Sequence, residues 1–95
     1  MSLQGKTAVV IGASGQHNFG VAIARLLARN GARVVVSGRR LEPLQALAKE
    51  INGLAIACDM SDAASIEALF TEAKAQTGRV DIAINSAGGL AASPI

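Results

Sequence analysis

Two patterns of apolar residues alternate along the chain, and together they predict its secondary structure. Short, nearly continuous apolar runs are typical of buried β-strands, and we expect strands at residues 7–11, 33–37, 54–58 and 80–85. Between them lie longer stretches in which apolar residues recur every three or four positions, the spacing of an amphipathic helix. The pattern therefore predicts four strands and three helices in strict alternation.

The first two helices are expected at about residues 20–30 and 42–51. In the first, Ile23, Leu26 and Leu27 are predicted to share the buried face, and Gly31 follows as a residue that accepts the left-handed conformation at a helix end. The second has a proline in its first turn, where it is tolerated. The residues predicted to be buried by this second helix are Leu44, Leu47 and Ile51.

The third helix is expected to begin after Ser61, a good N-cap residue, and to end near Gly78. Four apolar residues at helical spacing form its predicted buried stripe. They are Ile66, Leu69, Phe70 and Ala73.

Strands and helices in this order predict an α/β fold, a Rossmann-like three-layer arrangement around a parallel sheet. Right-handed crossovers place the first strand centrally, between the second and the fourth, which gives the strand order 3-2-1-4. The fourth strand, VDIAIN, has the composition of a central strand but would lie at the edge of this sheet. We therefore expect the sheet to be incomplete. Residues 1–95 would be the N-terminal part of a larger Rossmann domain, or a partner would cover the edge.

Length, charge and cysteine content narrow the class of protein. A chain of 95 residues forms one domain at most, and its net charge of +2 is spread without a basic stripe, so we expect neither nucleic acid nor a membrane as partner. Cys58 is the only cysteine, which leaves no intramolecular disulfide or multi-cysteine metal site. Apolar runs are too short to span a bilayer, and no signal peptide is recognised. A soluble, cytoplasmic protein with small-molecule partners is expected.

The segment from Gly12 to Gly20 carries the first chemical signal. It joins a strand to a helix, and the N-terminus of a helix binds phosphate through unpaired N–H groups and the positive end of its dipole. Gly12 can turn sharply after the strand, Ser14 and Asn18 offer side-chain hydrogen bonds, and Gly20 lets the helix start close to the sheet. The segment predicts a cradle for a dinucleotide pyrophosphate. An ordinary strand-to-helix turn is the alternative.

A second signal follows the second strand, where the adenosine ribose of a dinucleotide would lie. A carboxylate at this point favours the 2′-hydroxyl of NAD. This chain has Arg39 and Arg40 instead, and their guanidinium groups could bind a 2′-phosphate. NADP is therefore preferred over NAD, unless the two arginines are only a solvated pair on the surface.

The third and fourth strands also end in polar residues. Asp59 follows one, and Asn85 with Ser86 follows the other, so both groups are expected at the ligand-binding edge of an open α/β sheet. Asp59 could equally cap the third helix, and residues 85–89 could be only a turn.

Together these residues resemble the short-chain dehydrogenase/reductase family, whose N-terminal half has a glycine loop, an aspartate after the third strand and an Asn-Asn-Ala-Gly motif after the fourth. The resemblance covers essentially the whole chain and implies an oxidoreductase that transfers hydride between NADP(H) and a carbonyl or alcohol. Arg39 matches a position where NADP-dependent members often have a basic residue. The resemblance implies a cofactor site formed by Gly12, Ser14, Gly15, Phe19, Gly20, Asp59, Met60, Asn85, Ala87 and Gly88.

The chain departs from the family pattern at two points. Its glycine loop is longer by about two residues, through Gln16 to Asn18, which is similar to the loop of enoyl-acyl-carrier-protein reductases. Ser86 stands where the family usually has its second Asn. The sequence also contains no tyrosine, so the Tyr-x-x-x-Lys pair that the family uses for proton transfer is missing.

Without a catalytic residue, these 95 residues are expected to bind the cofactor but to be inactive alone. A full-length parent would act on a small-molecule substrate and, like its family, would be expected to form a homo-oligomer. Two alternatives stay open. One is a non-catalytic nucleotide-binding or redox-sensing module, and the other is an enoyl-reductase-like enzyme.

Overall fold

The computed structural model describes residues 2–12 and 19–86 of the chain. Four strands and three helices alternate in this part, as the sequence predicts. The strands are β1 (Thr7–Ile11), β2 (Arg33–Gly38), β3 (Leu54–Ala57) and β4 (Ile82–Asn85). The helices are α1 (Phe19–Arg29), α2 (Leu41–Ile51) and α3 (Ala63–Thr77). The predicted bounds are therefore correct to within one or two residues.

The strands form one parallel sheet in the order β3-β2-β1-β4, which confirms the predicted topology. Val9 of β1 lies beside Val35 of β2 on one side and Ala83 of β4 on the other. Because all the strands are parallel, their carboxyl ends meet at one edge, the position at which open α/β sheets bind ligands.

Two apolar clusters cover the two faces of the sheet. Alternate residues of a strand point to opposite faces, so Val10, Val34 and Val36 pack with α1 and α2, and Val9 and Val35 pack with α3. Both faces of β1 and β2 are thus buried, which explains why these two strands have continuous apolar sequences. The predicted stripe of α3 lies in the second cluster, with Leu69 and Ala73 fully buried.

The predicted buried face of α1 is wrong at one residue. Ile23 and Leu27 pack against the core, but the side chain of Leu26 is exposed and Ala24 takes the buried position. The cause is the phase of the helix. Gly20 and Ala24, four residues apart, are the fully buried residues of α1, and this places Leu26 on the solvent side.

The predicted N-cap of α3 is also wrong, by one residue. Asp62 is the cap, and its side chain accepts a 3.0 Å hydrogen bond from the N–H of Ala64. Ser61 turns back and donates to Asp59. At the other end of the helix, Gly78 adopts the left-handed conformation with a φ of 87°, as expected for a residue that ends a helix.

Candidate cofactor-binding site

Backbone hydrogen bonds hold the carboxyl ends of the first three strands side by side. The N–H of Gly12, just after β1, donates to the carbonyl of Ser37 at 2.7 Å, and the N–H of Cys58, just after β3, donates to the carbonyl of Gly38 at 2.8 Å. The residues that follow these strands therefore start from fixed and adjacent positions. These are the positions from which the sequence predicts a dinucleotide to be bound.

The end of β4 is tied to the same edge through Ser86. Both its backbone N–H and its side-chain hydroxyl donate to the carbonyl of Ile11, each at 2.9 Å. The serine that departs from the family's Asn-Asn-Ala-Gly motif thus has a structural role, since it fixes the position of the chain as it leaves the sheet. Asn85, the preceding residue, pairs with Ile11 in the sheet register.

Gly12 makes the sharp turn that the sequence predicts. Its φ is 91°, a left-handed conformation that costs other residues roughly 1–2 kcal/mol. Beyond the loop, Phe19 and Gly20 begin α1, and the structure buries Gly20 but leaves more than half of the Phe19 side chain exposed. The first turn of α1 contains no acidic residue that would oppose an anion.

Arg39 and Arg40 both lie exposed between β2 and α2. Arg40 is the N-cap residue of α2, and this helix end has no side-chain capping hydrogen bond in the described part of the chain. The N–H groups of the first helical turn therefore add to the positive potential of the two guanidinium groups. Glu42 is the acidic residue in that turn, and its side chain is exposed.

Asp59 is held in place by its neighbours. Its Oδ1 atom accepts hydrogen bonds from the backbone N–H of Ser61 at 2.9 Å and from the Ser61 hydroxyl at 2.7 Å. These two bonds, with a smaller contribution from the charge of Arg39, keep the pKa of the Asp59 carboxyl below its usual value. Because Asp62 caps α3, the alternative in which Asp59 is a helix cap is excluded.

Arg39 and Asp59 lie on the same open depression, which has a volume of about 600 Å³. Nη2 of Arg39 is 3.9 Å from Oδ1 of Asp59, and both side chains are more than half exposed. Ala57, Cys58 and Ser65 complete the lining. The depression thus combines a cation, a carboxylate and a hydroxyl at the carboxyl edge of the sheet.

Met60 and Asn85 lie elsewhere. They line a separate and mainly apolar cavity of about 230 Å³ between α3 and β4, and the other lining residues include Ile66 and Phe70. Met60 packs against the apolar cluster under α3 rather than on the Arg39 depression. The structure therefore separates these two predicted cofactor contacts from Arg39 and Asp59.

Five predicted site residues lie outside the part of the chain that the structure describes, and their placement stays a prediction. Three belong to the glycine loop and two follow β4. They are Ser14, Gly15, Asn18, Ala87 and Gly88.

Two serines contact the backbone of predicted site residues, although their own positions in the sequence predict no binding role. Ser65, on the first turn of α3, accepts a 2.9 Å hydrogen bond from the backbone N–H of Asp59 and donates to the sulfur of Cys58. Ser37 is fully buried near the end of β2, and its hydroxyl has no hydrogen-bond partner among the described residues. The sequence signal for Ser37 was a hydroxyl residue near the end of an otherwise apolar strand. The sequence signal for the turn that fixes Asp59 was the Asp-x-Ser spacing of residues 59–61.

The described residues contain neither a metal site nor a membrane-spanning helix. They contain no group of three or more His, Cys, Asp or Glu side chains placed to hold a metal ion. None of the three helices is long and apolar enough to cross a membrane.

The sequence itself matches a known family. Residues 6–95 fit the family model described as short chain dehydrogenase. The chain belongs to this family. Solved structures of family members have a similar fold, as two examples show.

A metagenomic short-chain oxidoreductase in complex with NADP is 44% identical, with a TM-score of 0.77 over 87% of this chain and 39% of that one. A 3-ketoacyl-(acyl-carrier-protein) reductase from Brucella melitensis, complexed with NADH, is 37% identical, with a TM-score of 0.80 over 86% of this chain and 34% of that one. The two structures thus contain different nicotinamide cofactors.

Among relatives known by sequence, D-threitol dehydrogenase of Mycolicibacterium smegmatis is 41% identical over 91 residues, which are 90% of this chain and 34% of that enzyme. The chain therefore spans about a third of the length of this relative.

Proposed function

We propose that this chain is the cofactor-binding part of an NADP-dependent short-chain oxidoreductase, and that residues 1–95 form the N-terminal part of its dinucleotide-binding domain. The carboxyl edge of the sheet would hold the cofactor, with its adenosine end on the Arg39 depression. The observation that carries the preference for NADP is the pair of exposed arginines that follows β2. The two relatives of known structure support a nicotinamide dinucleotide as the ligand, since one was solved with NADP and the other with NADH.

The described residues fit the adenosine end of such a cofactor. Arg39, Arg40 and the uncapped N-terminus of α2 supply positive charge for a 2′-phosphate. Asp59, held by its hydrogen bonds from Ser61, supplies a fixed carboxylate acceptor for a base or ribose donor. A carboxylate that would reject a 2′-phosphate is missing from residues 37–41.

At the other end of the site, the positive φ of Gly12 and the N-terminus of α1 favour the pyrophosphate. A glycine at the end of β1 lets an anionic group approach the backbone, and the helix dipole stabilises it. Ser14, Gly15, Asn18, Phe19 and Gly20 are proposed to complete this part of the site, with Met60, Asn85, Ala87 and Gly88 nearer the rest of the cofactor.

The proposed reaction is hydride transfer between the cofactor and a carbonyl or alcohol of a small substrate. When bound, the nicotinamide supplies or accepts the hydride. These 95 residues hold and orient it, but they contain no tyrosine hydroxyl that could donate the accompanying proton. A positioned proton donor contributes about 10²–10⁴-fold to the rate. We therefore propose that this group comes from outside these 95 residues.

Calorimetric titration with 2′,5′-ADP and with 5′-AMP tests the NADP assignment, since the two probes differ only in the 2′-phosphate. We expect 2′,5′-ADP to bind more tightly. Arg39→Gln should weaken the binding of 2′,5′-ADP by at least about tenfold, the value of a charge-assisted hydrogen bond, and should leave the binding of 5′-AMP nearly unchanged.

Arg33→Gln is the matched control, because Arg33 is an exposed arginine at the opposite end of the same strand. It should bind both probes as the unmodified chain does. Equal affinity of the unmodified chain for the two probes, or an equal loss for both in Arg39→Gln, would contradict the preference for NADP.

A further inference from the structure

The contact between Arg39 and Asp59 bears on how strongly the site distinguishes NADPH from NADH. The two residues come from different strands, but a 2.8 Å hydrogen bond from the N–H of Cys58 to the carbonyl of Gly38 fixes the backbone directly before each of them. Their proximity therefore follows from the sheet itself. The side chains meet at 3.9 Å across the mouth of the depression.

Within this pair, hydrogen bonds hold the side chain of Asp59, whereas the described residues show none to the side chain of Arg39. Both hydrogen bonds from Ser61 go to Oδ1 of Asp59, the same atom that faces the guanidinium of Arg39. The Arg39 side chain is 72% exposed, and the ion pair is its only contact with a charged group that the described residues show. Arg39 can therefore turn towards a ligand while the carboxylate stays in place.

We propose that Asp59 limits the preference of this site for a 2′-phosphorylated cofactor, because it competes with the 2′-phosphate for Arg39. With a 2′-hydroxyl bound, Arg39 keeps Asp59 as its partner. With a 2′-phosphate bound, Arg39 must be shared between two anions, and the phosphate also lies near the fixed negative charge of Asp59. The site would thus accept NADH as well as NADPH, with a smaller preference than two arginines alone would give.

This inference rests on the proposed function, since it assigns Arg39 to the 2′-phosphate. It predicts that Asp59→Asn increases the discrimination between the two cofactors. The amide keeps the shape of the side chain and an oxygen that can accept from Ser61, and it removes only the charge. The free energy of an exposed ion pair corresponds to about a two- to fivefold change in affinity.

The test is a cycle of four chains: unmodified, Asp59→Asn, Arg39→Gln and the double variant, each titrated with 2′,5′-ADP and 5′-AMP. Asp59→Asn should raise the ratio of the 2′,5′-ADP affinity to the 5′-AMP affinity about two- to fivefold, because any loss of a base or ribose contact affects both probes alike. In the Arg39→Gln background the same substitution should give a smaller gain, because the competition for Arg39 is gone. Glu72→Gln, which removes an exposed carboxylate from the second half of α3, is the control and should change neither affinity.

The possible results separate this inference from the proposed function. If Arg39→Gln does not change the affinity for 2′,5′-ADP, the assignment of NADP in the proposed function is wrong, and this inference is wrong as well. If Arg39→Gln weakens the binding of 2′,5′-ADP but Asp59→Asn lowers the ratio of the two affinities or leaves it unchanged, the inference is wrong and the NADP assignment stands. Equal gains from Asp59→Asn with and without Arg39 would also overturn it.

Discussion

Two aspartates at opposite ends of the strands show how the immediate surroundings decide what a carboxylate does. Asp59, at the carboxyl edge, is more than half exposed and is held by one neighbouring serine, which leaves it available to a ligand. Asp81, just before β4, accepts three hydrogen bonds from Arg79 and one from the backbone N–H of Thr7. Its own N–H donates to the carbonyl of Thr7. Asp81 therefore ties the start of β4 to the start of β1 and has a structural role.

The stability that Asp81 provides should depend on pH. The hydrogen bonds from Arg79, then that from Thr7, lower the pKa of its carboxyl in the folded chain. A group whose pKa is lower when folded stabilises the fold above its unfolded pKa, and this contribution is lost as the pH falls through the folded value. Urea unfolding should show that Asp81→Asn is less stable than the unmodified chain at pH 7, and that the difference shrinks below about pH 4.

Glu72→Gln is the control for this experiment and should follow the unmodified chain at pH 7. A difference between Asp81→Asn and the unmodified chain that stays the same from pH 7 to pH 3 would show that the charge of Asp81 does not contribute.

At the scale of elements, spacing predicted which segments are helices better than it predicted which side chains they bury. The predicted buried stripe of α3 is correct because its four apolar residues lie on one face of the helix, and that face packs against the sheet. In α1, apolar residues occur on several sides, and small Gly20 and Ala24 bring the helix close to the sheet. The prediction from sequence favoured large apolar residues and therefore included Leu26. Close packing against the sheet instead buries the small residues Gly20 and Ala24.

Two leucine substitutions test this assignment of faces. Leu69→Ala empties a fully buried site between α3 and the sheet and should cost about 2–5 kcal/mol of unfolding free energy. Leu26→Ala removes the same atoms from a side chain that is 55% exposed, so it should cost much less. Urea unfolding followed by circular dichroism measures both values. Similar losses for the two variants would mean that α1 has a different rotation on the sheet.

For the whole molecule, the alternation of patterns and the handedness of crossovers were enough to predict the strand order. They were also enough to bring the residues after the strands to one edge. Contacts that depend on side-chain geometry could not be predicted in this way. Met60 is next to Asp59 in the sequence, but it lines a different cavity. Ser61 donates a hydrogen bond to Asp59 instead of capping α3. Such contacts depend on the rotamer of a single side chain, and the spacing of apolar residues along the sequence does not predict that rotamer.

The edge position of β4 is the other property that appears only at this scale. In the part of the chain that the structure describes, β4 pairs with β1 alone, so one side of the strand has no neighbouring strand. The chain also spans only about a third of the length of the D-threitol dehydrogenase to which it is similar. Both facts agree with the proposal that residues 1–95 bind the cofactor and that further groups are needed for the reaction.

Binding of a nicotinamide dinucleotide at the carboxyl edge of this sheet can be tested by titrating the ¹⁵N-labelled chain with NADPH and recording NMR spectra. The amide signals of Gly12, Gly38, Arg39 and Asp59 should shift together and saturate at one ligand per chain. Signals at the opposite edge, such as those of Thr7 and Asp81, should stay in place. Absence of shifts, or shifts confined to the opposite edge, would contradict the account.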